Sequence, residues 1–131
     1  MDVNLVAVFL AALSAFFIGF VWYTIVFAKP WKEEIGMGDA GSDVQPPSMG
    51  KLLIGSFLLE LGMAFVMARF FIGTAEALGG LKAGFLIGLT LVGFSFGVNY
   101  LFEGKSLRHW LINAAYVTVV FSTMGLIIGA F

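Results

Sequence analysis

Hydrophobic positions along the chain gather into four long runs, at residues 3–28, 52–73, 81–102 and 110–131. At 1.5 Å per helical residue, each run is long enough to cross a hydrocarbon layer about 30 Å thick. Lipid offers the backbone no hydrogen-bond partners, so apolar segments of this length must satisfy their own amides as helices. A transmembrane barrel would need short strands of alternating character, and that period is missing. The pattern predicts an all-α integral membrane protein, a bundle of four transmembrane helices forming one domain over residues 1–131.

The connections differ in character. Loop 29–50 is the longest and most polar, and opens with Lys29, Pro30, Trp31, Lys32, Glu33 and Glu34. Pro30 suits the first position of a short helix, and Trp31 suits an interfacial one. Residues 38–47, rich in Gly, Asp and Pro, are expected to be flexible. Connection 74–80 is short, and 103–109 is a tight charged turn. Four spans place both termini on one side. The other side carries Lys29, Lys32, Lys51, Lys105 and Arg108, against Arg69 and Lys82. The positive-inside rule therefore puts loops 29–50 and 103–109 in the cytoplasm and both termini outside. All three Trp, all three Tyr and the single His fall at that same cytoplasmic end. The first run is too long for a signal peptide and is led by Asp2, so it is expected to be retained.

Composition narrows the function classes. Residues are 60% hydrophobic and 11% charged, where soluble domains carry about 25% charged. Net charge is −1 with no basic block, so nucleic acid is not an expected partner. The absence of Cys excludes disulfides and thiolate chemistry. One histidine, His109, cannot supply the three or four ligands of a metal site. No nucleophile elbow or phosphate loop is present, so catalysis is not expected and no cofactor is predicted.

Helices in lipid associate through small residues and buried polar contacts. In the first helix Asn4, Ala7, Ala11, Ser14, Ile18 and Trp22 share a face. In the fourth, Ala115, Thr118, Ser122, Gly125 and Gly129 do so. α-Helical phasing sets Gly84 and Gly88 of the third helix beside Ser95 and Asn99, with Gly93 and Gly97 opposite. The second helix likewise has Ser56 and Glu60 on one face and Gly55, Gly62 and Arg69 on another. Two such faces predict a central third helix or a homo-oligomer within the bilayer.

Glu60 is the outstanding candidate for chemistry. It lies nine residues past Lys51, so about 14 Å deep. An ionised acid there costs on the order of 2–3 kcal/mol, which makes it a functional-site candidate. Arg69 is about 13.5 Å further along the same helix, on the far side, and its long stem is expected to snorkel outward. Ser95 falls at a depth similar to Glu60. Asn99, Asn113, Tyr116, Trp22 and Tyr23 sit shallower on the cytoplasmic half. With Ser56, these residues form the expected binding set, a polar pocket open to the cytoplasm for a small molecule or ion. Trp31, Tyr100 and Trp110 read as an interfacial aromatic belt.

Three blocks carry a resemblance. They are Gly19-Phe20-Val21-Trp22-Tyr23-Thr24 with Phe27 and Trp31, then Asn99-Tyr100-Leu101-Phe102-Glu103-Gly104-Lys105-Ser106, then Leu111-Ile112-Asn113-Ala114-Ala115-Tyr116. Their order and spacing resemble the small four-helix prokaryotic membrane proteins of domain-of-unknown-function family 1761. The resemblance implies a four-helix fold and a prokaryotic inner membrane, and brings no biochemistry with it. Thr24-Ile25 stands where the family pattern has Ser-Pro, removing a proline kink after Trp22-Tyr23. The expected function is a small transporter or channel-like component, and the alternative is a non-catalytic structural or interaction protein.

Overall fold

A computed structural model describes residues 3–37, 47–72 and 76–131. The stretch 38–46, most of the segment expected to be flexible, lies outside the described residues, as do 73–75. Every regular element among the described residues is helical. Helix α1 (Leu5–Val21) runs on through a π-helical turn, Trp22–Val26. A short helix α2 (Ala28–Glu34) follows. Helix α3 (Met49–Val66) continues into a second π segment, Met67–Ile72. Helices α4 (Ala77–Leu86) and α5 (Ser95–Glu103) are joined by a third, Ile87–Phe94, and α6 spans Leu107–Ala130. Four continuous helices, Leu5–Val26, Met49–Ile72, Ala77–Glu103 and Leu107–Ala130, are long and apolar enough to cross a membrane.

Local chemistry explains the ends. The Asn4 side chain caps α1 by accepting from the Val6 and Ala7 amides at 3.0 and 3.2 Å. Ser106 caps α6, accepting from the His109 amide at 3.0 Å. α2 and α5 stop at Gly36 and Gly104, whose φ values of 79° and 72° suit glycine. In each case the next amide reaches back five residues, Met37 to Lys32 and Lys105 to Tyr100. Pro30 occupies the third position of α2 rather than the first. It is still within the turn whose amides need no helical partner.

The fourth helix is central, which corrects the expectation for the third. Half of the apolar window of α6 is buried, against 11% for the third helix. α1 lays a stripe of Ala7, Ala11, Ala12 and Ala15 into the core, where small side chains let helices approach closely. Phe57 of α3 meets Phe9 and Phe16 of α1 edge-on, with ring centroids 5.9 and 6.0 Å away. α4 packs on α6 backbone to backbone. A Cβ on Gly88 would lie 2.7 Å from the Val117 carbonyl oxygen, and those on Gly80 and Gly84 would overlap the Gly125 and Phe121 carbonyls. In α6 the buried small residues are Ala114 and Gly125, while Ala115 is exposed.

The phasing of the third helix also differs from the expectation. The π segment has i→i+5 bonding, and Gly93 follows Gly88 by five residues. Gly93 and Gly97 consequently turn toward α6 instead of away. Gly93 is buried and its carbonyl accepts the Trp110 indole N–H at 2.8 Å. Gly97 lies against the same indole. The second small face inferred from α-helical phasing is absent from this helix.

Candidate functional site

Among the described residues, the buried polar or charged groups are Glu60, His109 and Asn113. Most hydroxyls on the long helices satisfy themselves locally. Ser14, Thr90, Ser95, Thr118, Ser122 and Thr123 donate to carbonyls three or four residues back, at 2.5–2.8 Å. Groups that cross between helices are therefore few, and they cluster at the end of the bundle that carries the aromatic residues.

Asn113 of α6 is the hub. Its Oδ1 accepts the Tyr23 hydroxyl at 2.6 Å, and its Nδ2 donates to the Tyr100 oxygen at 2.8 Å. One amide thus ties the first and third long helices to the fourth. Tyr23 can reach it because the π turn at Trp22–Val26 brings adjacent residues to bear on α6. Trp22 donates its indole N–H to the Ile112 carbonyl at 3.1 Å, one residue from the bond that Tyr23 makes. The Phe27 amide closes the π turn on the Trp22 carbonyl at 2.8 Å. The change of direction before α2 is thereby made without proline.

Tyr116 lies one turn beyond Asn113. Its hydroxyl lies beside the carboxyl of Glu60 of α3, and Gly19 leaves room for it, since a Cβ there would be 3.0 Å from that oxygen. The Tyr116 ring stands edge-on to Tyr23 at 5.0 Å and faces Trp22 at 6.2 Å. Glu60 is 6% exposed, and its Oε2 is buried without a hydrogen-bond partner.

Toward the chain turn, contacts run from Tyr23 to Trp31 (4.8 Å), from Trp31 to His109 (5.2 Å) and from His109 to Tyr100 (4.8 Å). His109 is 5% exposed, and its Nδ1 is, among the described residues, the second buried side-chain polar atom without a hydrogen bond. Glu34 Oε1 lies 4.0 Å from that nitrogen. Glu34 also accepts from the Ser106 hydroxyl and, at 3.0 and 2.6 Å, from Nε and Nη2 of Arg108. Glu33 takes Nη1 of Arg108 at 3.3 Å.

The Ser106 hydroxyl and the Arg108 guanidinium hold the Glu34 carboxyl below the usual carboxylate range. A depressed folded value means that the tie stabilises fully above the unfolded pKa of about 4.3. It is lost as pH falls from there through the folded value. The difference in thermal stability between wild type and Glu34→Gln should thus stay constant near neutrality and close under acid. A difference that persists unchanged at low pH refutes this.

Of the residues expected to form the pocket, the structure brings together Trp22, Tyr23, Glu60, Asn113 and Tyr116. Ser56 is partly buried one turn before Glu60. Ser95 is exposed and bonds its own helix, and Asn99 is exposed on the outer side of α5. Neither meets the cluster. Trp31, Tyr100 and Trp110, assigned above to a belt, instead make specific contacts. His109, Glu34, Ser106 and Arg108 join them; pairs some 74 residues apart leave no local signal in sequence. Apolar grooves lie elsewhere. One of about 520 Å³ runs beside α3, past Leu58, Gly62, Met63 and Phe121.

No curated protein and no solved structure matches the chain. A family model described as "Protein of unknown function (DUF1761)" matches residues 6–129, nearly the whole sequence, and the protein belongs to that family.

Proposed function

We propose that the protein spans a prokaryotic inner membrane four times, with its aromatic end in the cytoplasm and both termini outside. In this reading it is a small transporter or channel-like component that takes up a proton or small cationic ligand at Glu60 from the cytoplasmic side. The bias of five basic residues to two supports the orientation. Large exposed apolar side chains on every long helix, and hydroxyls bonded back onto their own helices, support the lipid setting.

One observation carries the functional reading: a buried carboxyl beside the Tyr116 hydroxyl, with one oxygen that has no hydrogen-bond partner. Deep in a bilayer an ionised acid is expensive, so such a group is poised to exchange a proton or a cation. The aromatic and amide cluster links it to the cytoplasmic end. Beyond Glu60 the interior is filled by Ala64, Met67, Val120 and Met124. Access is therefore from one side, and binding moves charge only part of the way across.

In oriented proteoliposomes on a solid-supported membrane, a pH step on the cytoplasmic side should give a transient charge displacement. Glu60→Gln should abolish it while leaving helicity and thermal unfolding near wild type. Equal displacement in the variant overturns the reading. It would favour the second one, a non-catalytic interaction protein, for which Gly55 and Gly62 of α3 are the specific support. Nothing lies within 4 Å of a Cβ built on either, so a second copy could pack there. Such a protein runs as an oligomer in mild detergent, and a strict monomer removes it.

A further inference from the structure

Residues 101–108 are exposed throughout, yet the next, His109, is almost wholly buried. Trp31 of α2 and Tyr100 of α5 cover it from two sides, at 5.2 and 4.8 Å. Trp31 also lies against Tyr23, so a single indole from α2 touches rings on both sides of the Asn113 hub. α2 itself has seven residues and no buried side chain. A helix that short does not hold its place by propensity. Its far end is fixed to α6 by Glu34 on Ser106 and Arg108, with Glu33 adding a further contact to Arg108. Arg108 is 51% exposed, so this ionic tie is open to solvent and salt, whereas the network beneath it is not.

We propose that α2 is a latch over the cytoplasmic mouth of the Glu60–Tyr116–Asn113 network, held shut by the Glu34–Arg108–Ser106 cluster and regulating access to Glu60. The groups around the cluster are Glu33 and Trp31 on α2, Glu103 and Tyr100 on α5, and Lys105, Ser106, Arg108 and His109 around the start of α6. Release of Glu34 lets Trp31 lift. That uncovers His109, whose Nδ1 makes no hydrogen bond, and then the Tyr23 and Tyr100 rings. The regulatory role rests on the reading of Glu60 as the working site; the latch itself does not.

His109 is the only histidine in the chain and cysteine is absent, so diethyl pyrocarbonate reports exposure of this one imidazole. The measurement uses protein in detergent, without a polyhistidine tag, read at the carbethoxy-imidazole absorbance. Wild type at low salt should react slowly. Glu34→Ala should react about tenfold faster, the factor that loss of one good charge-assisted tie would give. The exchange Glu34→Arg with Arg108→Glu should restore slow reaction. Raising salt to 1 M shortens the screening length to about 3 Å and should speed the wild type without any substitution, so a poorly folding variant does not decide the matter. Rates that are fast in wild type at low salt, or unmoved by both salt and Glu34→Ala, overturn the latch and leave the Glu60 reading untouched. A failed charge-displacement experiment with a salt-sensitive His109 would instead leave a latch over a structural network.

Discussion

Gly84→Leu should unfold at a far lower temperature than the wild type. At this position a Cβ alone would overlap the Phe121 carbonyl oxygen and come within 3.0 Å of the Ser122 Cα. Both are backbone atoms of the central helix, which cannot rotate out of the way as a side-chain tip can. α4 would have to move off α6, giving up the contacts of Gly80 and Gly88 with it. Overpacking of this kind costs about 3 kcal/mol or more, a large share of a total stability of about 5–15 kcal/mol. Gly84→Ala should be intermediate. Gly62→Leu, on the open side of α3 with nothing within 4 Å, should unfold at the wild-type temperature. Thermal unfolding of the three variants in one detergent gives the order, and equal midpoints for Gly62→Leu and Gly84→Leu would contradict it.

Asn113→Leu should be the most damaging change within the polar cluster. It removes the acceptor of Tyr23 and the donor to Tyr100 at once. It leaves two partly buried hydroxyls, each costing about 1–3 kcal/mol without a partner. A loss of about 3 kcal/mol is expected, carried by the first and third long helices together. Tyr23→Phe and Tyr100→Phe should each cost about 1 kcal/mol in the wild type and should recover stability once Asn113 is leucine, by removing an unpartnered hydroxyl. Such non-additivity is the signature of one shared hub. Strictly additive effects would show that the two tyrosines act independently.

Much of this was legible in the chain, because length and depth are one-dimensional quantities. The four long helices follow from run length alone, and the helix ends moved by only a few residues. Glu60, Asn113, Tyr116, Tyr23 and Trp22 stood out as polar or amphipathic groups inside apolar runs. What stayed hidden is angular. Gly93 and Gly97 were phased on an α-helix, and the π segment Ile87–Phe94, which no composition marks, turned them to the other side. Depth alone sets Ser95 level with Glu60, but a serine in a helix can satisfy itself on its own carbonyl, and it does. Trp31, Tyr100 and Trp110 were read by depth as a belt. Their partners come from helices remote in sequence, and depth says nothing of azimuth.

The central position of α6 bears on how the protein is made. Ribosomes release this helix after the other three, yet it supplies the partners of Tyr23, Tyr100 and Glu60 and the surface on which α4 rests. Until it arrives, the earlier three helices carry an acid and two phenols without their partners. In the membrane setting proposed above, insertion of the helices and assembly of the polar cluster are thus separate events.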